Sequence, residues 1–176
     1  MTRHAAFLRG VNLGKRTVKS ADLRAAFEDL GFGDVKTLLA SGNVLFEARP
    51  SKGLQQKIED GLAAAFGFSI GVVLRSVDEL KATVAADPFK GKVESDAQKL
   101  YVMLFAEDLP HGISLPGSVK DDYDVVPGGP RELYVIGYRK PDGTYAAGGQ
   151  LLIEKQLPKG HLVTTRNWNT ILKAIA

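Results

Sequence analysis

"DVKTLLASGNVLFEA", residues Asp34–Ala48, is the stretch on which the fold turns. "DVKTLLA" and "NVLFEA" read as two strands joined at Ser41-Gly42-Asn43. Gly and Asn accept positive φ at little cost, so the junction reads as a tight connection between paired strands. Ala5–Arg9, upstream, reads as a short, largely buried strand. Between them Ser20 opens a helix, with Leu23, Phe27 and Leu30 at helical spacing and Gly31 as its stop. Downstream, Ser51 opens a second helix striped by Leu54, Ile58, Leu62 and Phe66, and "SIGVVLR", Ser69–Arg75, is a fourth strand.

The order βαββαβ is complete within residues 1–75 and is that of a ferredoxin-like sandwich, with both helices on one face of the sheet. Ser76 and Glu79 then form a capping box for a helix that ends before Asp87-Pro88. "LYVMLFA" from Leu100 is a strand, a Pro- and Gly-rich loop runs to Gly117, and "YDVV" pairs with "ELYVIGY" around "PGGP". Residues 148–157 read as a helix, "HLVTT" from His161 as a last strand, and Asn169–Ile175 as a last helix. The expectation is an α+β chain in three parts. Residues 1–75 form a ferredoxin-like subdomain, 76–97 a connecting helix and loop, and 98–176 a second, degenerate ferredoxin-like half with a C-terminal helix. In that second half, loop 107–119 stands where one helix would be.

The chain has 176 residues, 44% of them hydrophobic, and no cysteine. Disulfides, zinc–thiolate sites and thiol nucleophiles are thereby excluded. No apolar run at the start is long enough for a secretory leader, and none could span a bilayer, so a cytoplasmic protein with no membrane partner is expected. Charge is unevenly spread. Residues 1–20 hold Arg3, Arg9, Lys15, Arg16 and Lys19 and no acid, and the tail from Lys155 is again basic. Residues 94–124 hold seven acids against Lys99 and Lys120. If the basic ends meet, they offer a positive surface to phosphate or carboxylate; solvated surface charge is the plainer reading.

"FLRGVNLGKR", Phe7–Arg16, is one residue short of a Walker A loop, and Arg16 occupies the hydroxyl position. A nucleotide triphosphatase is therefore rejected. Two readings remain: an anion-receptive strand-to-helix loop built from Arg9, Gly10, Asn12, Gly14 and Lys15, or an ordinary surface loop. Ser41, Gly42 and Asn43 form the tight connection, and the two polar side chains are candidate donors beside that loop. No base or nucleophile elbow accompanies Ser41. In "TTRNWNT", Thr164–Thr170, hydroxyls and amides crowd around Arg166 where the final helix opens. Free N–H groups there favour anions. Trp168, the only Trp, is either a stacking platform or, the preferred reading, an anchor. His4, His111 and His161 are scattered and read as surface residues, and Asp121-Asp122-x-Asp124 as a solvated turn, so no metal site and no cofactor are expected.

"LRGVNLGKR", "SGNVLFE" and "TTRNWNT" together resemble the signature segments of a mainly bacterial protein family, domain of unknown function 1697, in the same order and over nearly the whole chain. The resemblance implies a two-part α+β structure with a ferredoxin-like first half, and no established activity. The chain departs from the family at Ala146–Leu152, where "AAGGQLL" replaces a Gly-x-Ser-Lys-Leu-like helix start.

The favoured expectation is binding of a phosphate-bearing, nucleotide-like small molecule between the two halves. The expected ligand-binding residues are Arg9, Gly10, Asn12, Gly14, Lys15, Ser41, Gly42, Asn43, Thr165, Arg166, Asn167, Trp168 and Asn169. Three alternatives stand beside it. One is an acylphosphatase-like hydrolase using Arg9 and Asn43, and another a single-stranded nucleic acid binder on an open sheet face. The last is a purely structural role for the shared segments. No catalytic residue is assigned.

Overall fold

The computed structural model describes residues 1–11, 17–38, 42–145 and 153–176. Their elements are β1 (Thr2–Arg9), α1 (Ser20–Asp29), β2 (Gly33–Thr37), β3 (Asn43–Ala48), α2 (Leu54–Phe66), β4 (Gly71–Ser76), α3 (Val77–Ala85), β5 (Gln98–Phe105), β6 (Tyr123–Pro127), β7 (Glu132–Tyr138), β8 (Val163–Asn167) and α4 (Trp168–Ile175). The chain divides into two compact units, Met1–Ala82 with Leu172–Ala176, and Thr83–Ile171.

The first unit is the βαββαβ sandwich read from the sequence. Its sheet runs β2-β3-β1-β4 and is antiparallel throughout. Ala6 and Leu8 of β1, Val44 and Phe46 of β3 and Val72 of β4 point to the helix-covered face. There they meet Leu23 and Phe27 of α1 and Ile58 and Leu62 of α2. Phe7, Leu45 and Val73, on the other face, are buried too. Both helix starts lie close to their expected positions but lack a side-chain cap, with Lys19 and Gly53 in the cap positions. Gly67 ends α2 in the left-handed region, at φ +79°.

The second unit repeats the topology. Its sheet order, β6-β7-β5-β8, is that of the first sheet with each strand replaced by its counterpart, and it too is antiparallel. Met103 and Phe105 of β5, Leu133 and Val135 of β7, Val163 of β8 and Ile153 form its core. No helix lies between β5 and β6, as the glycine- and proline-rich composition of that loop implies. Of the helix expected over 148–157, residues 148–152 lie outside the described residues; Ile153 and Glu154 close a helical turn.

Two local features carry sharp consequences. The Ser76–Glu79 capping box is formed reciprocally: the Ser76 N–H donates to Glu79 Oε2 at 2.8 Å, and the Glu79 N–H donates to Ser76 Oγ at 3.0 Å. His4, expected at the surface, is instead 7% exposed. It lies across from Phe46 in the β1–β3 ladder, and the two rings stack at 5.4 Å. Burial pushes its pKa below 6.5, against smaller upward pulls from the Ala48 backbone and Glu79. Its Nε2 has no hydrogen-bond partner among the described residues.

Ser76→Ala is expected to cost about 1 kcal/mol, read from urea denaturation. For His4 the unfolded chain takes up the proton first. Stability is therefore complete above pH 6.5 and declines as pH falls from there towards the depressed native value. His4→Phe is expected to flatten that decline below about pH 6.5; an unchanged slope in the variant would assign it to other groups.

Candidate functional site

The first candidate segment lies at one end of the first sheet. Phe7 stands opposite Asn43, and the Leu8 N–H donates to the Gly42 carbonyl at 2.8 Å. The chain leaving β1 and the chain entering β3 are thus joined edge to edge. Gly10 and Gly42 sit at φ +80° and +81°, a region in which a side chain is strained. Arg9 is exposed at the end of β1, and Val11 is 5% exposed. Asn43 is buried, its Nδ2 donating to the Leu38 carbonyl at 3.3 Å while its backbone carbonyl accepts from the Leu38 N–H at 2.9 Å. Its amide therefore shapes the hairpin. Asn12, Gly14, Lys15 and Ser41 lie outside the described residues.

The second segment keeps the expected strand followed by a helix, but the strand runs two residues further than His161–Thr165. Thr164–Asn167 belongs to strand β8, and α4 begins directly at Trp168. Strand alternation then divides the polar run between two faces. Thr165 and Asn167 stand opposite Met103 and Tyr101, while Thr164 and Arg166 stand opposite Leu104 and Val102. Arg166 is therefore a strand residue. Its Nη1 donates to Thr164 Oγ1 at 2.6 Å and to the Thr165 carbonyl at 3.0 Å. Burial lowers its pKa to about 10.

Asn167 uses both ends of its amide. Oδ1 accepts from the Asn169 N–H at 2.9 Å, capping α4, and Nδ2 donates to Glu94 Oε1 at 2.5 Å. The same carboxylate oxygen accepts from the Leu100 N–H at 3.1 Å. Tyr101, beside this pair, has its pKa raised by burial first and then by the Glu94 carboxylate and the Tyr145 phenol. Trp168 is 9% exposed and packs edge-on against Phe89 and Tyr134, at 5.1 and 6.1 Å between centroids. Asn169 is exposed at the helix start. Glu94 was missed because its partner lies 73 residues away, and no local pattern marks it.

Asn167→Ala removes the cap and leaves Glu94 with one fewer donor. A loss of about 1.5 kcal/mol is expected, measured by chemical denaturation. Asn167→Asp, which keeps the cap oxygen but sets a carboxylate against Glu94, should be no better tolerated.

No helix among the described residues is long and apolar enough to cross a membrane. No curated protein matches the chain. Among solved structures, the conserved bacterial protein SP0830 from Streptococcus pneumoniae is similar, at 24% identity and a TM-score of 0.74. The likeness covers 99% of this chain and 96% of that one, and it concerns the fold. The family model described as "Protein of unknown function (DUF1697)" matches residues 1–134. That span holds the Phe7–Arg16 and Asp34–Ala48 segments and stops short of Thr164–Thr170. The chain belongs to the DUF1697 family of proteins of unknown function.

Proposed function

We propose that the protein binds a small phosphate-bearing molecule on the loops at the end of β1 and the start of β3. The observation that supports this reading is the edge-to-edge junction of the two glycine-punctuated segments, with Leu8 N–H on the Gly42 carbonyl and Arg9 exposed beside it. Backbone N–H groups near left-handed glycines readily face an anion. Residues 1–20 hold five cations and no acid, so the local potential has the required sign. Arg9 supplies a bidentate fork, and Asn12, Gly14, Lys15 and Ser41 are the further candidates from the sequence.

The hydrolase alternative is weaker, because the Asn43 amide is already committed to the Leu38 carbonyl and so does not suit the orientation of a water. Nucleic-acid stacking on the sheet is weaker as well: Phe7 and Phe46, the aromatics of β1 and β3, are buried. For Thr165–Asn169 a second, structural reading is favoured by specific bonds. Asn167 joins β8, α4 and Glu94, and Arg166 is bonded to its own strand.

Thermal melting with inorganic phosphate, pyrophosphate and a mononucleotide tests both readings. A ligand at a hundredfold its Kd adds about 2.7 kcal/mol, a rise of about 5–10 °C for a chain of this size. Arg9→Ala is expected to lose most of that rise while melting, unliganded, within about 2 °C of the wild type. Arg166→Ala is expected to lower the unliganded melting temperature itself. A panel that shifts nothing, or an Arg9→Ala variant that keeps the full rise, sinks the anion site.

A further inference from the structure

A cavity of about 250 Å³ lies in the second unit, away from the loops discussed above. One wall is the sheet face carrying Asp124 and Val126 of β6 and Ile136 of β7, since Asp124 is paired directly with Ile136. The other wall comes from the turn that follows α3, of which Pro88, Phe89, Lys90 and Lys92 line the cavity. Phe89 pins this turn. It is 3% exposed and meets Tyr134 and Trp168 edge-on, at 5.5 and 5.1 Å between centroids.

The turn is held in an unusual backbone. Asp87 and Lys90 both have left-handed φ, +48° and +51°, and Gly91 follows at +79°. Asp87 tolerates this because its Oδ1 accepts the Gly91 N–H at 3.0 Å. Lys90 has no such side-chain compensation; bonds from Lys90 N–H to the Asp87 carbonyl and from Lys92 N–H to the Phe89 carbonyl keep it there. Glycine would serve a bare turn better, and strained residues of this kind gather at ligand clamps. Both lysines are exposed on the cavity rim, and neither is ion-paired among the described residues.

The charges facing the cavity are two ammonium groups and one carboxylate. Asp124 is already engaged, its Oδ2 accepting the Tyr138 hydroxyl at 2.5 Å. Ser118 Oγ accepts the Val125 N–H at 2.8 Å and keeps a hydroxyl hydrogen to donate. We infer that this cavity binds a small aromatic monoanion, its ring between Phe89, Val126 and Ile136 and its carboxylate at Lys90 and Lys92. The excess of one positive charge matches a monoanion, whereas Asp124 opposes a phosphate dianion. The volume falls just below the roughly 300 Å³ at which drug-sized pockets begin, which sets the ligand at one or two rings.

Benzoate, with neutral benzamide as its isostere and inorganic phosphate as control, tests the site in the full chain. Amide NMR shifts at Lys90, Gly91, Val126 and Ile136 locate binding, and the single Trp168, beside Phe89, reports it by fluorescence. Benzoate is expected to bind with a Kd on the order of 1 mM, at least tenfold more tightly than benzamide. Lys90→Ala/Lys92→Ala should weaken it by about tenfold or more, and Val126→Phe, which fills the cavity, should abolish it. Where the lysine pair variant unfolds, Lys90→Gly, which relieves the backbone, carries the charge test alone. Equal affinity for benzoate and benzamide, unchanged binding in the lysine variants, or shifts confined to Gly10 and Gly42 each overturn the proposal. Phosphate shifts at Gly10 and Gly42 bear only on the separate loop site.

Discussion

The pairing of β1 with β3 is the constraint on which the first unit depends. β1 is a central strand, bonded to β3 on one side and β4 on the other, so its register fixes both neighbours. With Phe7 opposite Asn43, Ala6 and Leu8 face the helices together with Val44 and Phe46. A slip of one residue would turn all of them to the other face. The same register joins the two glycine-bearing segments, because the last rungs of the ladder are Phe7–Asn43 and the Leu8–Gly42 bond. The candidate anion loops are therefore a consequence of core burial.

β5 has the corresponding place in the second unit, between β7 and β8. Its pairing with β8 draws Thr164–Asn167 into extended structure, and alternation sends Arg166 and Asn167 to opposite faces. A run that looks like one polar cluster in one dimension becomes two sets of contacts. Asn167 meets Glu94 and the start of α4, while Arg166 turns back on Thr164. The cost of desolvating Arg166 is visible in its lowered pKa, and the bonds to Thr164 and Thr165 offset part of it.

Much of this was legible in the sequence where the signal is local. Alternation and turn chemistry gave the hairpin around Gly42, helical spacing gave the stripe Leu54, Ile58 and Leu62, and the Ser76-x-x-Glu79 box was formed as written. The repeated sheet order also followed, although the two halves share no sequence repeat, because binary patterning survives when residue identity does not. His4 went astray because nothing local distinguishes a buried strand histidine from an exposed one. Its burial comes from Phe46, forty-two positions away in the chain. Residues 84–92 gave only a helix stop at Asp87-Pro88. The left-handed Lys90 and the cavity beside it depend on Phe89 reaching Tyr134 and Trp168.

By itself the sequence determined most of the order of elements among the described residues, the hairpin at Gly42 and the capping box at Ser76, since each rests on residues within a turn or two of one another. Only the tertiary structure decided which polar side chains are already spent. Asn43 bonds within its hairpin, Asn167 is shared between a cap and Glu94, and Trp168 is enclosed by two aromatic rings. The physical reason is that a donor's availability depends on its partner, and partners brought together by strand pairing and packing lie tens of residues apart.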